Sequence, residues 1–274
     1  MPFWALTELY GRSPMYWYRL ERSLGRNSLV GTTIQAADHL PRHLVADEKH
    51  TTLIEKKTRK VYLATTVGGG CCLGMALAET AGADDLTAAY DVFRDEARRL
   101  DPEYRPETIN TDGWPATQAA WRALFKGVTV ILCYLHAYLK IRDRAKHLEE
   151  TFSDLSRRVW EAYHAPDART FSQRLRRLRE WAETHVDKSV VREKVLALCG
   201  RRAAFVRAYD HPGCHRTSNA VDRLLRRLDH HLYCTQHLHG TTRAAEQGRA
   251  DEPATREPAE ARGCETSRSG NALA

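Results

Sequence analysis

Residues Val61 to Ala78 read VYLATTVGGGCCLGMALA, and this stretch decides the fold. The β-branched run Val61–Val67 and the apolar run Cys71–Ala78 flank Gly68-Gly69-Gly70, the signature of two strands joined by a tight turn. The glycines lack the following Lys-Ser/Thr pair of a phosphate-binding loop, so they read as a hairpin turn. Upstream, Leu44-Val45-Ala46-Asp47 is a short apolar run ending on an acid, which makes a third antiparallel strand. Downstream, Leu86, Tyr90, Phe93, Ala97 and Leu100 recur at helical spacing, predicting a helix capped by Asp84 or Asp85 and ending near Asp101-Pro102. A short strand over Glu107–Asn110 then runs into Thr111-Asp112-Gly113. A helix over Pro115–Lys126 and an apolar strand over Val128–Tyr134 follow. The order is β-β-β-α-β-α-β.

Beyond this core the pattern changes. From His136 to Tyr209 the chain is helical and basic, with 17 Lys and Arg against 10 Asp and Glu. Phe171, Leu175, Leu178 and Trp181 form one apolar stripe, and Val191, Val195 and Leu198 another. A closing helix is expected from Thr217-Ser218-Asn219, burying Val221, Leu224, Leu225, Leu228 and Leu232. At the other end, Met15–Leu24 predicts one aromatic-rich helix. Residues 1–40 are therefore expected to be a helical stub, the shortened remainder of a DNA-reading region. Residues 241–274 lack apolar periodicity and are expected to be disordered.

A 274-residue chain that is 42% hydrophobic and 28% charged has the composition of a globular protein with a real core. The run Val128–Leu135 is far shorter than the ~20 residues of a membrane helix, and MPFWALTELY is not a secretion signal. No membrane partner is expected. Seven irregularly spaced cysteines do not make a disulfide framework and point to a reducing compartment. The net charge of +7 favours a polyanion, and arginine suits bidentate phosphate contacts.

Three carboxylates stand out. Asp47 interrupts a buried strand and needs a partner. Asp112 follows the fourth strand, which in such a sheet can neighbour the first, and Asp222 sits in the first turn of the closing helix. Clustered carboxylates repel unless cations occupy them, and hard oxygen ligands suit Mg²⁺ or Mn²⁺. Each acid also has an ordinary reading: Asp112-Gly113 as a turn, and Asp222 as the third residue of a helix capped by Asn219. Cys133 and His136 are read as a packed thiol beside a hydrogen-bonded ring. A zinc site with Cys199, His211, Cys214 or His215 is the less favoured alternative.

The runs VADEKHT around Asp47, INTDGWPATQAAWRALF around Asp112, CYLH at Cys133–His136 and HRTSNAVDRLLRRL around Asp222 resemble the catalytic core of DDE transposases, above all Mutator-like elements and related bacterial insertion-sequence enzymes. The resemblance spans roughly residues 43 to 235. It implies an α/β, RNase H-like fold over residues 41–240: a mixed five-stranded sheet flanked by helices, with a basic all-helical insertion, about 137–210, before the last catalytic helix. It further implies that Asp47, Asp112 and Asp222 hold two Mg²⁺ or Mn²⁺ ions, Asp47 bridging both, with Cys133, His136 and Asn219 supporting them. The family's third acid is usually glutamate in a T-N-N-x-x-E context, where this chain has Thr217-Ser218-Asn219-Ala220-Val221-Asp222.

The implied activity is cleavage of double-stranded DNA at transposon ends and strand transfer into a target. Arg174, Arg177, Arg216 and Arg223 would contact DNA, in a homodimer or larger assembly in the bacterial cytoplasm at the nucleoid. Two other readings are an inactive remnant that only binds nucleic acid and an RNase H-like nuclease that only hydrolyses.

Overall fold

The computed structural model describes residues 3–24, 28–54, 58–145, 148–187, 189–234 and 238–239. Three strands open the core: β1 (His43–Ile54), β2 (Thr58–Gly68) and β3 (Cys71–Ala78). They pair antiparallel, and the β2–β3 turn has Gly69 and Gly70 at positive φ of 58° and 82°, the conformation glycine adopts without steric cost. Gly74 answers a different demand. A methyl group there would stand 2.8 Å from Cβ of Phe93, so its absence lets β3 lie directly against helix α4 (Ala83–Leu100).

Two further strands complete the sheet. β4 (Thr108–Thr111) runs parallel to β1, and β5 (Thr129–Leu132) runs parallel to β4, with α5 (Pro115–Leu124) crossing between them. The strand order is β3-β2-β1-β4-β5, and a two-residue β6 (Leu238–His239) pairs with the far end of β1. This mixed sheet flanked by helices is the RNase H-like arrangement.

The sheet has two dissimilar faces because strand side chains alternate. Leu44, Ala46, Ile109 and Val130 face one way and pack with Leu86, Tyr90, Phe93, Trp121 and Phe125 of the α4–α5 layer. Val45 and Val67 face the other way and pack under Val221 and Leu225 of the closing helix α11 (Asn219–Cys234).

Between β5 and α11 stands a helical body with its own core: α6 (Tyr134–Ala145), α7 (Glu149–Tyr163), α8 (Ala168–His185), α9 (Val190–Gly200), α10 (Arg202–Val206) and a final 3₁₀ turn over Arg207–Asp210. Its centre includes Tyr134, Ile141, Leu155, Phe171, Leu175, Leu178 and Leu198. On α8 the expected stripe shifts by one residue. Ala182 is buried, while Trp181 is half-buried under the guanidinium of Arg158, 4.9 Å from its ring.

The N-terminal segment holds α1 (Phe3–Tyr10), α2 (Pro14–Leu24) and α3 (Leu29–Thr33), where the sequence predicted only the second. The buried carboxylate of Glu96 fastens α3 to α4, accepting from Ser28 Oγ at 2.8 Å and the Val30 amide at 3.1 Å.

Four local expectations are corrected. β1 does not stop at Asp47 but continues to Ile54, because its polar residues pair with β2 down to Thr58. α4 is preceded by Gly82 without a side-chain cap, and Asp85 instead accepts from the amide and hydroxyl of Thr80 at 2.9 and 2.7 Å. β5 ends at Leu132, since Tyr134 already begins α6. α11 begins at Asn219, so the flanking position falls on Ser218 and Asp222 is the fourth helical residue. The expected tail, residues 241–274, and Leu232's side chain lie outside what is described.

Candidate metal centre

Asp47 sits on the α11 face of β1, two residues beyond buried Val45. Val45 pairs with Asn110 across the β1–β4 ladder, so two residues further along each chain stand Asp47 and Asp112. α11 crosses this same face, and its first turns carry Asp222. His136 comes from the start of α6, four residues after the end of β5. One ligand atom each from Asp47, His136 and Asp222 lie within 4.8 Å of one another, the one such group among the described residues.

The sequence brought forward three acids, and the structure gathers two of them with the histidine. Asp112 stands beside this group and outside it, and its Oδ1 accepts from the Trp114 amide at 2.7 Å in the turn made by Gly113 at φ 95°. It is still near enough to act electrostatically. Burial lifts the Asp47 carboxyl from the usual 3.8 to about 6; His136 opposes the rise, while Asp112 and Asp222 add to it. The hydrogen bond to Cys133 raises His136 to about 9, and the charges of Asp47 and Asp112 contribute further. The ring is therefore a cation at neutral pH, set among carboxylates.

The supporting contacts converge on Ser218, which is fully buried. Its hydroxyl donates to Asp222 Oδ2 at 2.9 Å and lies 3.3 Å from Nδ1 of His136. Its amide donates to Cys133 Sγ at 3.2 Å, and the His136 amide reaches the same sulfur at 3.5 Å. Burial works against the Cys133 thiolate, but the bonds from His136 and Ser218 outweigh it and hold the thiol below its ordinary pKa. Cys133 and His136 are thus the packed thiol and hydrogen-bonded ring that the sequence favoured. Asn219, expected as support, is exposed at the helix start, while its neighbour Ser218 makes the contacts to Asp222 and His136.

Three of the four alternative zinc partners have contacts of their own. Cys199 Sγ donates to the Leu175 carbonyl at 3.4 Å, Cys214 Sγ to the Ala208 carbonyl at 3.3 Å, and His211 lies 3.9 Å from Glu107. None of these contacts involves Cys133 or His136.

Glu48, which the sequence reading passed over, faces the α4–α5 layer immediately behind Asp47. Its Oε1 accepts from Tyr90 Oη at 2.6 Å and Thr117 Oγ1 at 2.7 Å. Burial raises its carboxyl to about 7. Asn110 was also passed over; its Nδ2 donates to the His215 carbonyl at 3.0 Å and ties the approach to α11 onto β4.

The four arginines expected on DNA have different surroundings. Arg177 and Arg223 are exposed, and Arg174 is half-buried and donates to the Glu161 carbonyl. Arg174 and Arg177 line a surface pocket with Arg158, Glu161 and Leu178. Arg216 instead points inward, its guanidinium 4.7 Å from the rings of both Tyr163 and Tyr209 and 5.9 Å from that of Phe171.

These donors fit a divalent cation. Two carboxylates converge beside the His136 ring, one of them is held against its own ionisation by burial and by neighbouring acids, and carboxylate oxygens suit Mn²⁺ and Mg²⁺. No helix among the described residues is long and apolar enough to cross a membrane.

No protein-family model matches the chain, and no curated protein does. Among solved structures, the chain is similar to the catalytic domain of Mos1 mariner transposase at 18% identity, covering 69% of this chain and 91% of that one with a TM-score of 0.28. It is likewise similar to the Mos1 transposase catalytic domain with Raltegravir and Mn, at 17% identity, 68% and 92% coverage, and a TM-score of 0.28. Likenesses of this degree assign no activity to the chain.

Proposed function

We propose that this chain is a DDE-type transposase, which cuts DNA at the ends of a mobile element and joins those ends to a target. The observation that carries the reading is the convergence of Asp47, Asp222 and His136 at one rim of an RNase H-like sheet, with Asp112 beside them. Asp47 and Asp222, with Asp112 alongside, are the residues that would hold Mg²⁺ or Mn²⁺. A bound divalent ion lowers the pKa of water and offsets charge building on the phosphoryl oxygens.

The chain's own groups do the rest. With no cation bound, His136 keeps a proton at neutral pH and offsets the carboxylates' charge. Ser218 fixes the Asp222 carboxylate and borders the His136 ring. In the first reaction water attacks the phosphodiester at the element's end, breaking the P–O3′ bond across the junction and leaving a 3′-hydroxyl. That hydroxyl then attacks a target phosphorus, forming a new P–O bond as the target's own 3′-oxygen departs. Arg177 and Arg223, exposed on α8 and α11, would meet the phosphate backbone of duplex DNA. Pairing of two ends in one event calls for a homodimer or larger assembly on DNA, acting in the cytoplasm at the nucleoid.

The test is Mn²⁺-dependent cleavage and joining of a duplex that carries the ends of the chain's own genomic element. The native protein should cut and join, and Asp47→Asn should do neither while still binding the duplex. A native protein that binds DNA without cutting it would favour the inactive remnant. Cutting without joining would favour a hydrolytic nuclease.

A further inference from the structure

The loop leading into α11 is held from two sides. On the sheet side its backbone is pinned at three successive points: the His215 carbonyl accepts from Asn110 Nδ2 at 3.0 Å, the Arg216 carbonyl accepts from the Tyr134 amide at 3.0 Å, and the Ser218 amide donates to Cys133 Sγ at 3.2 Å. On the other side, the Arg216 side chain enters the helical body between β5 and α11. Its guanidinium lies over Tyr163 of α7, Phe171 of α8 and Tyr209 of the last turn, and its Nη2 donates to Tyr209 Oη at 3.0 Å. Tyr209 Oη in turn donates to the Ala165 carbonyl at 3.0 Å.

We infer that Arg216 is a positioning residue that couples the packing of the helical body to the geometry of the metal centre. One residue, Thr217, separates it from Ser218, whose hydroxyl holds Asp222 at 2.9 Å and borders His136 at 3.3 Å. Three aromatic faces and one hydroxyl leave the guanidinium little freedom. A cation held over several rings is attracted to each by the ring quadrupole, more strongly where water is excluded. An arginine set in this way fixes its own backbone, and the segment Arg216–Ser218 carries that constraint to the carboxylate. The inference rests on the metal-site reading given above. It also gives Arg216 a task other than contact with phosphate, although basic charge alone would have put it on the DNA face.

The two tasks predict opposite results for the same substitutions. In Arg216→Ala, Mn²⁺ affinity measured by calorimetry should fall about 10- to 100-fold, the range seen when a residue supporting a ligand is removed. Affinity for a 30-base-pair duplex, measured by anisotropy without added metal, should not change, nor should its dependence on salt. Should Arg216→Ala fail to fold, Arg216→Lys decides. It keeps the charge but loses the flat fork and the bond to Tyr209, so Mn²⁺ affinity should fall severalfold while duplex affinity holds.

Mn²⁺ affinity unchanged in a folded Arg216 variant would overturn the inference. So would a loss of duplex affinity in Arg216→Ala accompanied by a salt slope shallower by about one, the mark of a lost phosphate contact. Native protein that takes up no Mn²⁺ at all would instead overturn the metal site, and this inference with it.

Discussion

The Ser218 hydroxyl donates to Asp222 at 2.9 Å and lies 3.3 Å from the ring nitrogen of His136. One buried oxygen therefore sets two of the three groups that converge at the site. The Asp222 carboxylate is thereby held by the residue four positions earlier, at the position that flanks α11.

Ser218→Ala should separate affinity from folding. Removing a buried hydroxyl of this kind costs about 1–3 kcal/mol of stability, because its partners lose a bond they cannot replace with water. The Asp222 carboxylate is then free to turn. Mn²⁺ affinity should fall by at least about tenfold, read by calorimetry at a temperature where unfolding curves show the variant fully folded.

Glu48 predicts a pH effect whose sign is set by its environment. Its carboxyl rises from the usual 4.5 to about 7 in the fold, chiefly through burial. The unfolded chain therefore loses this proton first, and the charge opposes folding. The penalty is absent below pH 4.5, grows as the pH rises toward 7, and is constant above that. Glu48→Gln keeps an oxygen to accept from Tyr90 and Thr117 and carries no charge. It should gain up to about 3 kcal/mol at pH 8 and nothing at pH 4, measured by urea unfolding at both values.

Gly74→Ala should destabilise by about 1–3 kcal/mol, because its methyl would stand 2.8 Å from Cβ of Phe93. Gly70→Ala offers a contrast: nothing lies within 4 Å, and the cost there comes from φ of 82° alone. Thermal unfolding of the two variants separates crowding from backbone strain.

Much of the core was legible because its signals are local. The hairpin follows from β-branched runs on either side of three glycines, and α4 from its helical spacing of apolar residues. Element order places Asp47 near Asp112, because the first and fourth strands can be neighbours; Asp222 joins them only through the resemblance, since no local signal says which face its helix covers. The length of β1 was not legible, since Asp47, Glu48, Lys49 and His50 look like the end of a strand. In the structure consecutive charges turn to opposite faces, and Glu48 finds Tyr90 and Thr117 there. Asp112 lies outside the cation group, with one oxygen engaged by the Trp114 amide, a local turn contact that the spacing of the three acids does not encode. Arg216 looked like a surface cation because its cage comes from residues 163, 171 and 209, which meet only after the helical body has folded.

The central claim is that Asp47 and Asp222 share one divalent cation. Calorimetric titration of the native protein with Mn²⁺, beside Asp47→Asn and Asp222→Asn, tests it most directly. Saturable binding to native protein, with a rise in its unfolding temperature and a loss of at least about tenfold in either variant, is the expected result. Native protein that shows no saturable binding, or variants that bind Mn²⁺ as tightly as native, would contradict it.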